Sequence, residues 1–421
     1  MEDKQLALYD ASVMQSNLWP LLKSHPNGVT YYVPIFKEIN GSMNVERLNK
    51  VVNQLIQHTA ALQVFFIEDD EGKLKWNFNA KTRTSVQVIN SPHIYETLGQ
   101  LLLEPIPLAQ APLFRLYLIY CQESEKSILL IRFHHLIADG VAAELFFKEL
   151  EKAYLMNETA IIPNLQQSDY LHDHHQEQEL YEKNKAEYGR YLIEINQQLE
   201  KHHFVSSLGT PHYIGGVIYR NLTKDASEKV VAFCRRYNIS PYTFYFHLFC
   251  ITLAHLFGQE KIYISIVKSN RGRLKQPDMI GYYADNLPIL FALTSEIESI
   301  QEIKNTQMRV LELVDRFQYP VLSEDAEQLG YVQPQFIFNQ YTLESSNDLI
   351  CSADYLIEGL LKAGGNQVGL WNYNCPEKFN LLIRSDNFNN MMGLVYNPSL
   401  STQEEAEMVL EKFIEKILSF L

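Results

Sequence analysis

The spacing of apolar and polar positions predicts strands and helices mixed along the whole chain. Strands are expected over Thr30–Ile39, Ala61–Ile67, Leu74–Phe78 and Thr84–Ile89, and helices over Val45–His58 and His93–Leu103. The first helix is marked by Leu48, Val51, Val52 and Leu55 on one face. Two long strands follow, the second being the apolar run Ser127–Phe133. A helix over Val141–Tyr154 then places Ala142, Phe146, Leu150 and Ala153 on one face. The polar stretch Asn157–Ser168 reads as a connection, giving an expected division into residues 1–165 and 166–421. Beyond it lies a charged helix, Gln176–Leu199.

The second part is predicted to hold strands at Gly216–Leu222, Lys261–Val267 and Leu287–Leu293 and helices at Ala226–Tyr237, Pro241–Phe257 and Ile300–Phe317. Ser240 is placed to cap the second of these helices, with Pro241 in its first turn. Strands near Gln335–Asn339, Asp354–Glu358, Gln367–Tyr373, Phe379–Ser385 and Met391–Tyr396 lead to a last helix, Gln403–Leu421. Its Val409, Phe413, Ile417 and Leu421 suit packing rather than membrane anchorage. There is no repeat and no long low-complexity linker, so the fold class is mixed α/β.

The junction between the Ser127–Phe133 strand and the following helix carries the chemistry. It reads His134-His135-Leu136-Ile137-Ala138-Asp139-Gly140. Successive strand side chains point to opposite faces, so the two histidines cannot do the same job while the strand continues. One can face a cleft while the other faces packing. Asp139 sits where a helix N-cap is expected.

This stretch resembles the HHxxxDG signature of the condensation domains of nonribosomal peptide synthetases, acyltransferases with a chloramphenicol-acetyltransferase-like fold. The resemblance extends in order along the chain. Ser12–Trp19, with Gln15 and Leu18-Trp19, looks like the first family motif. Glu104–Arg115 looks like the entry to the next core strand. Ile280-Gly281-Tyr282-Tyr283-Ala284-Asp285-Asn286-Leu287-Pro288-Ile289 resembles IGxFxNxLPL. Asn270-Arg271-Gly272-Arg273 occupies the Gly-Arg site, and Arg316–Pro320 resembles the HQxxP-type motif with Phe317 in place of His. The resemblance implies two lobes forming a V around a central tunnel. No adenylation or carrier segment is recognisable, so a free-standing condensation enzyme is expected.

Composition sets limits on this picture. The chain has 421 residues, 46% hydrophobic and 20% charged, with a net charge of −14. That balance suits a globular protein and argues against nonspecific nucleic-acid binding. Five scattered cysteines give neither a disulfide framework nor a zinc pattern and suit the reducing cytoplasm. The N-terminus lacks a signal peptide and no apolar run is long enough for a membrane span. A monomer is expected. Carrier proteins are usually acidic, so docking to this acidic chain would need a local basic patch. Arg271, Arg273 and Lys275 form one candidate and Arg235-Arg236 another; each could equally be a solvated charge.

What the resemblance implies for mechanism is specific. An acyl or peptidyl group arrives as a thioester on the phosphopantetheine arm of a carrier protein, and an amine or hydroxyl attacks it. The enzyme needs no bound cofactor and no nucleophile of its own, only orientation, proton handling and oxyanion stabilisation. His135 is the family's catalytic position, His134 a structural one. Asp139 is a buried carboxylate paired to an arginine, and Gly140 allows a close backbone approach or a positive φ. Gln15, Asn339 and Trp371 are tunnel-lining candidates. One departure stands out: the family's bridging arginine falls at Gln63, which can hydrogen-bond Asp139 but cannot neutralise it. Either Arg132 or Arg271 substitutes, or Asp139 is more solvated here. His172-Asp173-His174-His175, with His202-His203, shows no supporting pattern of partners for a metal and reads as exposed polar residues. Two alternatives stay open, a coenzyme A-dependent acyltransferase and a non-catalytic carrier-binding scaffold. Epimerisation and heterocyclisation are disfavoured because their signature residues are missing.

Overall fold

The computed structural model describes residues 8–24, 31–121, 127–156, 167–201, 216–273, 278–294, 297–317, 332–342, 350–352, 377–385 and 390–421. The chain forms two compact units. The first is Met1–Lys183 with Ser269–Ala284 and Ser345–Leu370; the second is Asn184–Lys268, Asp285–Glu344 and Trp371–Leu421. This differs from a single break near residue 165. The boundary falls within a helix, and a segment between two strands of the second unit belongs to the first. Ile280 of that segment is buried in the first unit's core.

In the first unit, β1 (Tyr9–Asp10), α1 (Val13–Ser24), β2 (Tyr32–Ile39), α2 (Val45–His58), β3 (Val64–Glu68), β4 (Leu74–Phe78), β5 (Gln87–Ser91), α3 (Ile94–Leu102), β6 (Phe114–Cys121), β7 (Ser127–His134) and α4 (Gly140–Met156) follow in order. With β12 (Ile350–Ser352), they make a five-stranded sheet ordered β12-β2-β7-β6-β5 and a small sheet β1-β4-β3. β7 is central, antiparallel to both neighbours, and every residue in it is buried. That explains its unbroken apolar sequence: a strand covered on both faces has no polar side to show.

The exception within β7, Arg132, is fully buried, and two of its three guanidinium nitrogens are hydrogen-bonded. Its guanidinium donates to the carbonyls of Leu101 and Glu104, at and just past the end of α3, and lies 4.6 Å over the Tyr32 ring. Arg132 is therefore not the partner of Asp139. α2 carries Leu48, Val51, Val52, Leu55 and Ile56 inward and packs with α4.

α5 (Gln167–Lys201) starts well before the expected Gln176. Tyr170, Glu177 and Tyr181 are buried at helical spacing, so an aromatic stripe extends the helix where the polar composition hid it. The His172–His175 group is consequently inside a helix. His174 packs 5.2 Å from Trp76 and 4.5 Å from Tyr170, ring to ring.

The second unit contains β8 (Gly216–Asn221), α6 (Lys224–Tyr237), α7 (Pro241–Phe257), β9 (Lys261–Ser269), β10 (Ala284–Ala292), α8 (Ile300–Arg316), β11 (Phe336–Thr342), β13 (Phe379–Ser385), β14 (Asn390–Tyr396) and α9 (Gln403–Ser419). Its sheet is ordered β10-β9-β11-β13-β14-β8. α7 is buried at every position from Thr243 to Ala254, between α8 and α9. It is apolar all round because it has no exposed face. Ser240 Oγ accepts from the Thr243 amide at 3.0 Å, Pro241 opens the helix and Gly258 closes it at φ 61°.

Among the expected elements, those at 354–358 and 367–373 lie outside the described residues. The short strands β1 and β12 carry too little apolar periodicity to be read from sequence, and α1 is not among the expected elements although Met14, Leu18 and Leu22 are buried at helical spacing. The expected strand at Ala61–Ile67 begins as a 3-10 turn at Ala60–Leu62.

Candidate active site

β7 delivers the two histidines to different environments. The His134 amide donates to Leu113 O at 2.8 Å, its Nδ1 accepts from the Leu136 amide at 3.2 Å, and its ring meets Tyr32 edge-on at 5.4 Å. Burial first, then the neighbouring His135 and Arg132, push its pKa down to about 3. It is a neutral imidazole fixed as the Nε2–H tautomer, which holds the turn that follows the strand.

His135 leaves the strand ladder. Its amide donates to Tyr31 O at 2.8 Å. Its side chain is half-buried, with the ring centroid 4.5 Å from that of Tyr282 at an interplanar angle of 61°. Nδ1 is buried and makes no hydrogen bond of ordinary geometry with any described residue. Burial lowers the pKa of this imidazole, opposed by its own backbone and then by Asp139. It is thus a neutral base at neutral pH.

Asp139 fills both roles that the sequence left open. Its backbone carbonyl accepts from the Ala143 amide and its Oδ1 from the Ala142 amide at 2.8 Å, so it caps α4. The same Oδ1 accepts from Arg271 Nη2 at 2.9 Å, in a pair whose side chains are 8% and 3% exposed. Oδ2 accepts from the Tyr283 and Ala284 amides at 3.0 and 3.1 Å. Arg271 also donates to the carbonyls of Met279 and Gly281, and its guanidinium lies 4.8 Å over the Tyr283 ring. Segment 278–284 therefore wraps the carboxylate, and Gly281 is required there. A Cβ at that position would stand 2.4 Å from the Tyr283 ring.

Several expectations are corrected. Gln63 does not reach Asp139; its amide donates to the carbonyls of Ile56 and Gln57 at the end of α2. Arg271 is buried in the Asp139 pair and is unavailable as a docking cation. Gly140 is the first residue of α4 and does not have positive φ; a Cβ there would meet nothing within 4 Å. Gln15 is 2% exposed, and its side chain is taken up by other contacts.

Gln15 is instead a brace. Its Oε1 accepts from the Ser12 amide at 2.9 Å while Ser12 Oγ accepts from the Gln15 amide at 3.1 Å, a reciprocal cap on α1. Its Nε2 donates to Leu136 O at 2.8 Å, in the loop just past His135, and to the Tyr170 hydroxyl at 3.4 Å. Gln15→Ala leaves a buried carbonyl and a buried amide unpaired. The expected cost is about 1–3 kcal/mol by urea unfolding; wild-type stability would remove the brace.

Asn339 lies half-buried in β11, opposite Leu382 of β13 and on the face away from Phe336 and Phe338, which belong to the second unit's core. Arg235 and Arg236 are exposed on α6. Arg273 closes the short turn Arg271–Arg273, its side chain outside the described set. Trp371, Lys275, His202 and His203 lie outside the described residues. Among the described residues no cluster of three or more His, Cys, Asp and Glu could hold a metal, and no helix is long and apolar enough to cross a membrane. Tyr282 and the backbone cradle of Tyr283 and Ala284 carry no signal of their own in the sequence beyond the motif stretch that holds them.

The geometry is that of an α/β protein presenting one histidine ahead of a clamped loop. The condensation-domain family profile matches residues 5–420, and the chain belongs to the condensation-domain family. That membership supports a condensation, or acyl-transfer, role. One of the plipastatin synthase subunits of Bacillus subtilis (strain 168) is 24% identical over 290 residues, covering 67% of this chain and 11% of that protein. Surfactin synthase subunit 1 of the same organism is 24% identical over 336 residues, covering 78% of this chain and 9% of that protein. The chain thus spans about a tenth of the length of these relatives. The fold matches the condensation domain of the monacolin K polyketide synthase MokA with a TM-score of 0.76 at 17% identity, covering 99% of this chain and 97% of that one. It also matches a point mutant of the starter condensation domain of rhizomide synthetase RzmA, in complex with C8-CoA, at TM-score 0.75 and 16% identity, covering 98% and 95%.

Proposed function

We propose that this chain transfers an acyl or peptidyl group from a carrier-protein thioester to an amine, with a hydroxyl as the variant acceptor, in nonribosomal peptide-type biosynthesis. The observation that carries this reading is His135: a neutral, partly exposed imidazole held by the Asp139–Arg271 loop in a condensation-family chain. The substrate tunnel implied by the resemblance, with His135 at its centre, and a cytoplasmic setting belong to the same reading.

The acceptor nitrogen attacks the thioester carbonyl carbon, forming the C–N bond. Collapse of the tetrahedral intermediate breaks the C–S bond and releases the arm as a thiol. His135 takes the proton that the nitrogen loses and returns one to the departing sulfur. With Nδ1–H directed to the residue's own backbone, Nε2 is the atom that carries the lone pair. Asp139 is committed to four donors and takes no proton.

Steady-state kinetics with a loaded carrier and with a free thioester test the reading. Arg235→Glu, at an exposed position on α6, is expected to raise KM for the loaded carrier several-fold with little change in kcat, because only uniform binding is removed. The free thioester should be indifferent. Equal efficiency with both donors would favour a coenzyme A-type acyltransferase, and tight carrier binding without transfer to any amine or alcohol would favour a scaffold.

A further inference from the structure

We infer that Tyr282 is the positioning residue of His135, setting the imidazole's orientation through ring-to-ring packing. The inference rests on His135 acting as the base.

A histidine base needs a fixed ring plane, and its χ2 torsion is intrinsically broad. The usual device is a hydrogen bond from the second ring nitrogen to a carboxylate or carbonyl, which fixes tautomer and orientation together. Here Nδ1 has only a contact to the residue's own backbone, outside ordinary hydrogen-bond geometry, and no carboxylate or carbonyl of another described residue takes it. Asp139 has both oxygens occupied by Ala142, Arg271, Tyr283 and Ala284, and His135 Nδ1 is buried with no hydrogen bond of ordinary geometry. The Tyr31 carbonyl pins the His135 amide, which fixes the backbone and not the ring. His134 is turned to Tyr32 and the Leu136 amide. Among the described residues, the ring that packs on the His135 ring is Tyr282, edge-to-face at 4.5 Å between centroids.

Tyr282 is itself held in place. It follows Gly281, whose carbonyl accepts from the Asp139 amide at 3.3 Å, and precedes Tyr283, whose amide is bound by Asp139. The loop that carries His135 and the segment that carries Tyr282 are thus tied at both sides of the ring contact. In the motif that this stretch resembles, Tyr282 falls at an unspecified position.

The test combines a substrate-free and a kinetic measurement. The ring resonances of ¹³C,¹⁵N-labelled histidine, with the His135 signal assigned by its loss in His135→Ala, report orientation and tautomer. Turnover is measured with an octanoyl-loaded carrier and a panel of amines. Tyr282→Leu is expected to shift the His135 ring signals out of the aromatic field and to lower kcat roughly tenfold with KM within about twofold. Tyr282→Phe, which keeps the ring and loses the hydroxyl, should restore both. Unmoved ring signals in folded Tyr282→Leu overturn the inference. So does a Tyr282→Phe variant as impaired as Tyr282→Leu, which would make the hydroxyl the working group. Wild-type turnover in His135→Ala would instead defeat the functional reading, while the ring signals would still decide whether Tyr282 holds the imidazole.

Discussion

His135→Ala is expected to fold normally and to lose turnover by about 10²-fold or more, the usual range for a positioned proton-transfer group. The substitution removes a half-buried ring whose Nδ1 makes no hydrogen bond to another described residue, so stability has little to lose. The pH profile adds a signature. The folded-state pKa of His135 lies below its ordinary 6.5, because burial disfavours the imidazolium. Turnover should therefore fall as pH drops through a midpoint below 6.5 and stay level above it. An amine acceptor adds a second limb, since it must lose its own proton at about pH 8. A hydroxyl acceptor adds none in that range, so the number of limbs tells the acceptors apart. Unchanged turnover in a folded His135→Ala protein would take the residue out of the mechanism.

The strands and helices with clear apolar periodicity were legible in the sequence. Val45–His58, Leu74–Phe78, Pro241–Phe257 and Phe379–Ser385 fall where the pattern puts them, because in each the buried face is made by local residues alone. What the pattern could not carry was long-range polar chemistry. Gln15 is a polar residue in a short helix, and only the fold brings it to Leu136. Arg271 looked like a surface cation because its neighbours Arg273 and Lys275 are charged and Gly272 breaks the local periodicity. Its burial depends on Asp139, 132 positions away. The start of α5 was hidden for a related reason: Tyr170 and Glu177 are buried, and His174 half-buried, side chains of types that read as polar. The departure at Gln63 left open another arginine, Arg132 or Arg271, or a more solvated Asp139, which sequence spacing could not separate; Arg271 is the partner found.

Breaking the Asp139–Arg271 pair is expected to cost about 3–5 kcal/mol of stability, because either single substitution leaves the other charge buried. The two sides are not equivalent. Arg271→Met removes a cation whose remaining contacts are carbonyls that can partly be satisfied otherwise, and it leaves Asp139 with three backbone donors. Asp139→Ala strands the guanidinium and orphans the amides of Ala142, Tyr283 and Ala284 as well. It should therefore be the worse of the two, with the lost helix cap adding about 1 kcal/mol. Asp139→Asn is not a rescue: one oxygen can still accept from Ala142, but the amide group would face the two backbone donors of segment 283–284. In each variant the loop under His135 loosens, so turnover and urea stability should fall together, in the order Arg271→Met before Asp139→Ala. Unfolding curves and single-turnover rates on the same preparations measure both. A fully stable Asp139→Ala protein without turnover would mean that the carboxylate acts in the chemistry itself, and the structural role assigned to it here would be wrong.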